Sequence, residues 1–199
     1  VLSGFQSFQA ESQLPCKPFD AARVGVNLGE GAGTVILTSN KKYSYGVKIG
    51  GGSVSNDANH ISGPSRTGEE LSLAINKTLQ ASGIFAKDIG FISAHGTATI
   101  FNDEMEAKAI GLSGLQEVPV NSLKGYYGHT LGAAGLIESI ISIQSLKENL
   151  VLPTRGFHTS GVSQPVNICS SVYKSTGAHF LKTASEFGGG NAAIVFSKQ

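Results

Sequence analysis

The sequence lacks the excess of basic residues that is typical of proteins that bind nucleic acid or anionic membranes. Fifteen basic and 14 acidic residues leave a formal net charge of +1, and the densest basic run is the pair Lys41-Lys42. So small a charge gives no long-range attraction to a polyanion, so we expect no nucleic-acid partner. No apolar run reaches the roughly 18 residues that a membrane span requires, so we expect no membrane span.

Cysteines and metal-ligand patterns are also scarce. Cys16 and Cys169 could pair, but two cysteines in 199 residues do not make a disulfide scaffold, and this favours a reducing, cytoplasmic location. The five histidines are far apart and none adjoins a cysteine pair, so no metal site is predicted. No basic segment leads into an apolar run at the N-terminus, so no signal peptide is predicted. Because the chain begins at Val1 rather than Met, we expect a fragment boundary there.

Residues 121–138 contain the densest group of candidate functional side chains in the sequence. It places an amine (Lys124), an imidazole (His129) and a carboxylate (Glu138) within eighteen residues, and small residues open the helix that follows. That helix, ending near residue 149, is apolar around most of its circumference, so we expect it to be buried. A carboxylate is costly in such a run unless paired, so Glu138 should hold a cation or backbone amides. The apolar residues are Leu136, Ile137, Ile140, Ile141, Ile143 and Leu146.

Hydrophobic periodicity predicts an α/β fold, with helices covering a mixed sheet. A capping box at Thr67 and Glu70 and a stop at Gly83 bound the first long helix, and Asn102 or Asp103 begins the next. Strands are predicted at 34–37, 43–54, 89–94, 118–120, 166–168, 178–184 and 192–197. Active groups in such folds gather at the carboxyl ends of strands. His95, the 121–129 loop and the 185–191 loop should therefore share one rim.

Three ionisable groups make the main functional hypothesis: His95, Lys124 and His129. Two imidazoles and an amine supply hydrogen-bond donors and a proton shuttle but no strong nucleophile, which suits an oxyanion or carbanion beside a carbonyl. The alternative is that each histidine caps a strand end or fills the core.

Smaller groups of polar residues allow two interpretations each. The hydroxyls of Thr97 and Thr99 could both face a ligand, or the two residues could be β-branched filler. Asp103 and Glu106 share one helix face and, taken alone, favour a cap and a solvated surface over an acid/base pair. The glycine-rich run 185–191 could present backbone N–H groups to an anion, although glycine alone is a weak signal.

Together these motifs resemble the C-terminal half of the β-ketoacyl-acyl carrier protein synthases, of the thiolase superfamily. The resemblance covers nearly the whole chain in the family's order, and the His-Gly-Thr and Gly-His-x-x-Gly-Ala-Ala-Gly motifs are the most specific. The matching segments are Phe19-Asp-x-x-Arg23, Gly29-Glu-Gly-Ala-Gly33, His95-Gly-Thr-x-Thr99 with Asp103 and Glu106, Asn121-Ser-x-Lys124, Gly128-His-x-x-Gly-Ala-Ala-Gly135 with Glu138, and Phe187-Gly-Gly-x-Asn191.

The resemblance implies a thiolase-like half that condenses an acyl thioester with malonyl-carrier protein and releases carbon dioxide. It implies that His95 and His129 are the catalytic histidines, that Lys124 orients the site and that Glu138 supports Lys124. Thr97 and Thr99 match threonines that bind the pantetheine arm, and the loop before Asn191, with Ser185 and Phe187, would lie at the oxyanion hole and the acyl pocket. No cofactor of the chain's own is implied, because phosphopantetheine arrives on the carrier protein. The implied partners are that carrier protein and a related synthase, in a homodimer or heterodimer.

The sequence departs from the family in two places. The family's nucleophilic cysteine lies in an N-terminal half that is absent here, so residues 1–199 form a C-terminal domain that we expect to be inactive alone. Cys16 has no helix start to lower its pKa, and Cys169 fits a packed position. Ser185-Glu186-Phe187 also replaces the usual Phe-Gly-Phe, so a bulky pocket gate is missing.

The sequence alone also allows functions other than that of a synthase. A non-catalytic chain-length-factor-like subunit would keep the fold, and the Ser185 loop favours it, although retention of His95, Lys124 and His129 argues against it. A pure binding module would not need these groups together, and the His-Gly-Thr pattern favours the synthase over a thiolase that uses coenzyme A. In every case the apolar central helix should need a second half, on the same polypeptide or on a separate chain.

Overall fold

A five-stranded mixed sheet forms the centre of the computed structural model, which describes residues 1–199. The α-helices are α1 (Leu2–Ser7), α2 (Glu69–Ser82), α3 (Ile100–Leu112), α4 (Lys124–Tyr127) and α5 (Ala134–Glu148). The strands are β1 (Val47–Asn56), β2 (Ile89–Ser93), β3 (Val120–Asn121), β4 (Leu150–Val151), β5 (Tyr173–Lys174), β6 (His179–Ser185) and β7 (Gly190–Lys198).

The order of strands in the large sheet is β1-β7-β6-β2-β3. β1, β7 and β6 are antiparallel neighbours, whereas β6, β2 and β3 run parallel. In the parallel part, Ser93 of β2 lies beside both Lys182 of β6 and Asn121 of β3. The loops that follow these three strands therefore open on the same edge of the sheet, as the sequence predicted.

The two faces of the sheet bury alternate side chains of its strands. On one face, Phe91, Phe180 and Phe196 stack with ring centroids 5.0 and 4.8 Å apart, and Leu146 of α5 joins them. Leu181, one residue later in β6, belongs to the core that α2 and α3 cover on the other face. The predicted α/β architecture, a mixed sheet with helices on both faces, is confirmed.

The C-terminal end of α2 was predicted correctly, and its N-terminal end was not. Gly83 ends the helix in the left-handed conformation, as predicted. The predicted capping box of Thr67 and Glu70 is absent, because Gly68 is the N-cap and no side chain caps the helix. A Cβ on Gly68 would stand 2.6 Å from the carbonyl oxygen of Met105 in α3. Close packing against α3 therefore requires a glycine at the N-cap, one residue after the threonine that the pattern predicted as the cap.

The apolar run 34–37 does not form the predicted buried strand. It has no ladder partner, and Ile36 is 87% and Leu37 72% exposed. The glycines before it do lie against another element, as predicted, since a Cβ on Gly31 would come within 2.8 Å of Ile137 Cδ1 in α5. The prediction was wrong because a strand needs a neighbour for its backbone hydrogen bonds, and residues 1–199 supply none here.

One other strand prediction changes in detail, and one pair of strands was not predicted. The predicted strand 166–168 is reduced to one bridge, between Val120 and Ile168. A separate pair of strands, β4 with β5, was not predicted, because two residues each are too few to show a periodicity.

Helix α5 buries its polar side rather than its apolar one. Its buried residues are mainly polar: Ala134, Glu138, Ser139, Ser142, Ser145 and Leu146. Ile140 is 38% exposed, and Leu136 and Ile137 are partly exposed beside the 29–33 segment. Full burial of the helix was therefore a wrong prediction within these residues. No helix has the length and hydropathy to cross a membrane.

Gly33 lies against Leu136, Ile137 and Ile140, and we call these three side chains, together with residues 34–37 that follow Gly33, the exposed apolar surface. Surfaces of this kind mark interfaces or aggregation sites. Residues 1–199 expressed alone should therefore self-associate, and the paired change Ile36→Ser and Leu37→Ser should reduce the weight-average mass measured by sedimentation.

Phe85→Ser is the matched control, because Phe85 is 70% exposed and its neighbours Ile84 and Ala86 pack against the core on the α2 and α3 face of the sheet. It should leave the self-association unchanged. A soluble monomer of residues 1–199 that unfolds in one cooperative transition would contradict the expectation.

Candidate active site

The parallel part of the sheet brings together the side chains that the sequence singled out. His95 follows β2 by two residues, and Lys124 opens α4 three residues after β3. Glu138 reaches the same point from the second turn of α5, where its carboxylate lies 2.7 Å from Lys124 Nζ. The ring centroids of His95 and His129 are 5.1 Å apart and the ring planes meet at 81°. The structure therefore places all four of these residues in one cluster.

Lys124 is the hub of this cluster. It is buried, and its ammonium group donates to the carbonyl oxygen of His95 at 2.5 Å, to Glu138 Oε1 at 2.7 Å and to His95 Nδ1 at 3.2 Å. An ammonium group has three donors and no acceptor, so all of its hydrogen bonds are used. His95 Nδ1 must accept, and the proton of the neutral ring therefore lies on Nε2.

His129 is fixed in the same tautomer by the backbone. The N–H of Leu131 donates to His129 Nδ1 at 3.1 Å, so the ring proton is again on Nε2. The backbone of His129 is held by Asn27, whose carbonyl accepts at 2.8 Å, and by Gly29, whose N–H donates at 3.0 Å. A Cβ on Gly29 would lie 2.0 Å from the carbonyl oxygen of Tyr127, so only glycine allows this approach. The site thus offers two Nε2–H donors.

Burial and the nearby ammonium groups favour the neutral form of both imidazoles. Burial, followed by the ammonium group of Lys124 and the neighbouring His129, holds the pKa of His95 well below its usual range. Burial also lowers the pKa of His129 to about 4; Lys124 and Lys182 add to this shift, and Glu138 opposes it. Neutral rings keep Nδ1 as an acceptor and so keep the arrangement described above.

Lys182 is a member of the cluster that sequence reasoning missed. It lies in the middle of β6, is buried, and places its Nζ 2.6 Å from Glu138 Oε2. Burial alone would raise the pKa of Glu138, but Lys182 and Lys124 outweigh it and lower that pKa. The expectation that Glu138 holds a cation is confirmed, with two cations instead of one. A lysine between Leu181 and Thr183 in an apolar strand was the signal available in the sequence.

Asp103 and Glu106 are not the solvated helix face that the sequence favoured. Both are fully buried. Glu106 accepts from the backbone N–H groups of His95 and Gly96 at 2.8 Å each, and Asp103 accepts from Thr97 at 2.9 Å. Charge-assisted bonds of this kind fix a loop firmly. The two carboxylates of α3 thus hold the 95–97 backbone, a function that spacing alone did not reveal.

The hydroxyls of Thr97 and Thr99 lie side by side, an arrangement that the ligand-binding interpretation requires. Thr97 Oγ1 and Thr99 Oγ1 are 2.8 Å apart, with Thr97 buried and Thr99 partly exposed. That they bind a ligand stays a prediction.

The 186–189 loop closes another side of the site. Ser185 donates to Asn191 Oδ1 at 2.7 Å, and Phe187 packs against Phe5 and Phe8 at centroid distances of 5.1 and 5.3 Å. The ring of Phe5 lies edge-on to His129 at 6.3 Å. An aromatic wall therefore connects the glycine loop with the histidines, while the role of Ser185 and Phe187 in substrate binding stays a prediction.

Neither cysteine is suited to act as a nucleophile. Both are free and buried. Burial raises the pKa of Cys16 to about 12 and that of Cys169 to about 11. The thiolate is the reactive form, so these thiols are unreactive at neutral pH, as predicted.

Solved structures with this architecture are ketosynthases. A β-ketoacyl synthase from Burkholderia phymatum superposes with a TM-score of 0.94 at 27% identity, over 100% of this chain and 51% of its own. The ishigamide ketosynthase/chain length factor superposes with a TM-score of 0.92 at 26% identity, over 99% of this chain and 50% of its own. The fold is therefore a thiolase-like α/β half.

Sequence comparison gives the family. The profile "Beta-ketoacyl synthase, C-terminal domain" matches residues 45–158. The 3-oxoacyl-[acyl-carrier-protein] synthase 2 of Vibrio cholerae is 33% identical over 202 residues, which are 94% of this chain and 48% of that protein. The chain belongs to the β-ketoacyl synthase family and spans about half the length of the curated relatives it matches.

Removing the shared carboxylate tests the buried cluster. Glu138→Ala leaves two ammonium groups buried without their anion, so we expect the free energy of unfolding to fall by about 3–5 kcal/mol in urea denaturation. Glu148→Ala is the matched control, since Glu148 is exposed at the end of the same helix and should change stability by less than about 0.5 kcal/mol. Equal effects of the two changes would contradict this description.

Proposed function

We propose that this chain is the histidine-bearing half of a β-ketoacyl-acyl carrier protein synthase. The reaction is the decarboxylative condensation of an acyl thioester with malonyl-acyl carrier protein in fatty acid or polyketide synthesis. The observation that carries the proposal is the pair of Nε2–H donors on His95 and His129, fixed by Lys124 and by the backbone of Leu131. The similarity to the Vibrio cholerae protein, a 3-oxoacyl-[acyl-carrier-protein] synthase, supports the proposal.

The two donors fit the charge that develops in this reaction. When the malonyl thioester loses carbon dioxide, the electrons of the broken C–C bond move into an enolate, whose oxygen can accept from both imidazoles. Fixed donors aimed at such an oxyanion are worth more in a buried site than in water. The enolate carbon then attacks the acyl thioester, a C–C bond forms and a thiolate leaves. Lys124 and Glu138 act through His95, by fixing its orientation and tautomer.

The nucleophile that holds the acyl group must come from outside residues 1–199. Cys16 and Cys169 are buried with raised pKa values. The exposed apolar surface supports a second half that packs on this one, and the half-length match to curated relatives is in line with it. We propose that this second half, on the same polypeptide or on another chain, supplies the nucleophilic cysteine.

The carrier protein and its phosphopantetheine arm are the proposed partners of the site. The paired hydroxyls of Thr97 and Thr99 would bind the arm, and the aromatic wall of Phe5 and Phe187 would face the acyl chain. No cofactor of the chain's own enters this scheme. A homodimer, or a heterodimer with a related synthase, is part of the same proposal.

One observation favours a second candidate, a non-catalytic subunit of the chain-length-factor type. Ser185 hydrogen-bonds Asn191 where the family has a bulky gate, so the pocket entrance differs from that of a synthase. Similarity to a ketosynthase/chain length factor is compatible with either subunit type. The intact pair of histidines, with Lys124 and Glu138 behind it, makes the synthase the better-supported function.

Malonyl-carrier protein decarboxylation by the protein at its natural length tests the proposal. Because each histidine supplies one donor to the enolate oxygen, His95→Ala and His129→Ala should each lower the turnover number about 10²- to 10³-fold. His60→Ala is the matched control, because His60 is exposed on a loop after β1 and should leave turnover unchanged.

Circular dichroism and denaturation midpoints must show that each variant is folded. Wild-type turnover in the two folded active-site variants would refute the proposed roles. A natural protein without any decarboxylation activity would favour the partner-subunit function.

A further inference from the structure

Lys182 is a buried cation to which the chemistry above assigns no task. It is 2% exposed and lies in β6 opposite Ser93 of β2. Its ammonium group donates to the carbonyl oxygens of Ser93, Ala94 and Thr183 at 3.1, 3.3 and 2.7 Å. A lysine is rarely buried to this degree without a specific partner, and here the partner is Glu138.

We propose that Lys182 is a positioning residue, which shares Glu138 with Lys124 and gives the buried cluster behind the two histidines an excess positive charge. The proposal rests on the proposed function, in that the histidines are taken to act on an anionic intermediate.

Burial lowers the pKa of Lys182, but Glu138 opposes that shift, and the other contacts of its side chain favour the charged form. Four oxygen atoms surround Nζ: three carbonyls, and Oε2 of Glu138 at 2.6 Å. No hydrogen-bond donor is among these contacts, and an ammonium group is a pure donor. Two of the carbonyls belong to the residues just before His95. The ammonium group therefore ties the end of β2, where the His95 loop begins, to α5.

Two ammonium groups, Lys182 and Lys124, and two carboxylates, Glu138 and Glu106, meet here, and of the two carboxylates only Glu138 forms ion pairs with the ammonium groups. Lys124 comes from α4, Glu138 from α5 and Glu106 from α3, while His95 lies on the loop after β2. Glu106 already accepts two backbone N–H groups and the hydroxyl of Thr183 at 2.6 Å. Glu138 is thus the one carboxylate in direct contact with two ammonium groups, and the Lys124–Glu138–Lys182 set carries one net positive charge.

That excess charge has a definite effect on the histidines. Burial is the largest cause of the low pKa values of His95 and His129, and Lys182 lowers both further. Loss of the Lys182 charge should raise both pKa values, so that the rings take up protons at a higher pH. A protonated ring loses the Nδ1 acceptor, and a cluster with less positive charge also stabilises an enolate less.

Titration of His129 by nuclear magnetic resonance, in the protein at its natural length, tests the charge effect without any activity assay. Lys182→Met keeps the approximate length of the side chain but removes the charge, and it should raise the pKa of His129 above its present value of about 4. Lys48→Met is the matched control, because Lys48 is an exposed lysine on β1 of the same sheet. The control should leave the pKa of His129 unchanged.

A second pair of variants protects the test if Lys182→Met fails to fold. Glu138→Gln leaves two cations, whereas Glu138→Gln combined with Lys182→Met leaves one. His129 should titrate at a higher pH in the double variant than in Glu138→Gln, because the double variant has one cation fewer near the ring. Equal pKa values in these two variants, or a His129 pKa that Lys182→Met does not move, would overturn the proposal.

Decarboxylation separates this inference from the proposed function. In a folded Lys182→Met protein the acid limb of the pH–rate profile should move to higher pH by the same amount as the pKa of His129. If the His129 pKa shifts while the acid limb stays unchanged, Lys182 does influence the charge of His129. Its proposed contribution to the reaction would then be refuted. A natural protein without decarboxylation activity would refute the proposed function, while the titration would still decide the charge effect.

Discussion

A single buried carboxylate between two ammonium groups is the interaction on which the rest of the site depends. Glu138 lies 2.7 Å from Lys124 and 2.6 Å from Lys182, and all three side chains are buried. Such ion clusters add little net stability, because burial costs each charge its hydration. We infer that this cluster instead specifies one arrangement of its side chains. Here that arrangement is the orientation of Lys124, which in turn fixes the tautomer of His95.

The sheet and α3 supply the other constraint. Parallel strands β6, β2 and β3 end at one edge, so Lys182, His95 and Lys124 come together although they are far apart in the sequence. Asp103 and Glu106 then hold the loop after β2 by its backbone N–H groups. Rigid elements and buried carboxylates thus position the donors, which is what stabilisation of a developing charge requires.

Local pattern and motif were enough to predict the sheet edge, the helix that ends at Gly83 and the grouping of His95, Lys124, His129 and Glu138. They failed where a contact is distant in the sequence. Gly68 replaces a hydroxyl cap because Met105 is close to it, and the 34–37 run stays exposed because no strand lies beside it. Lys182 was missed because its partners lie on other elements, and the sequence of β6 does not indicate a contact with Glu138.

The tautomeric state of His95 and His129 tests most directly whether the two rings present Nε2–H donors. A long-range proton–nitrogen correlation spectrum of the nitrogen-15-labelled protein, at its natural length and pH 7, distinguishes a proton on Nδ1 from one on Nε2 and from an imidazolium. The account predicts that His95 and His129 are both neutral and both carry the proton on Nε2. A proton on Nδ1 of either ring, or a doubly protonated ring, would contradict it.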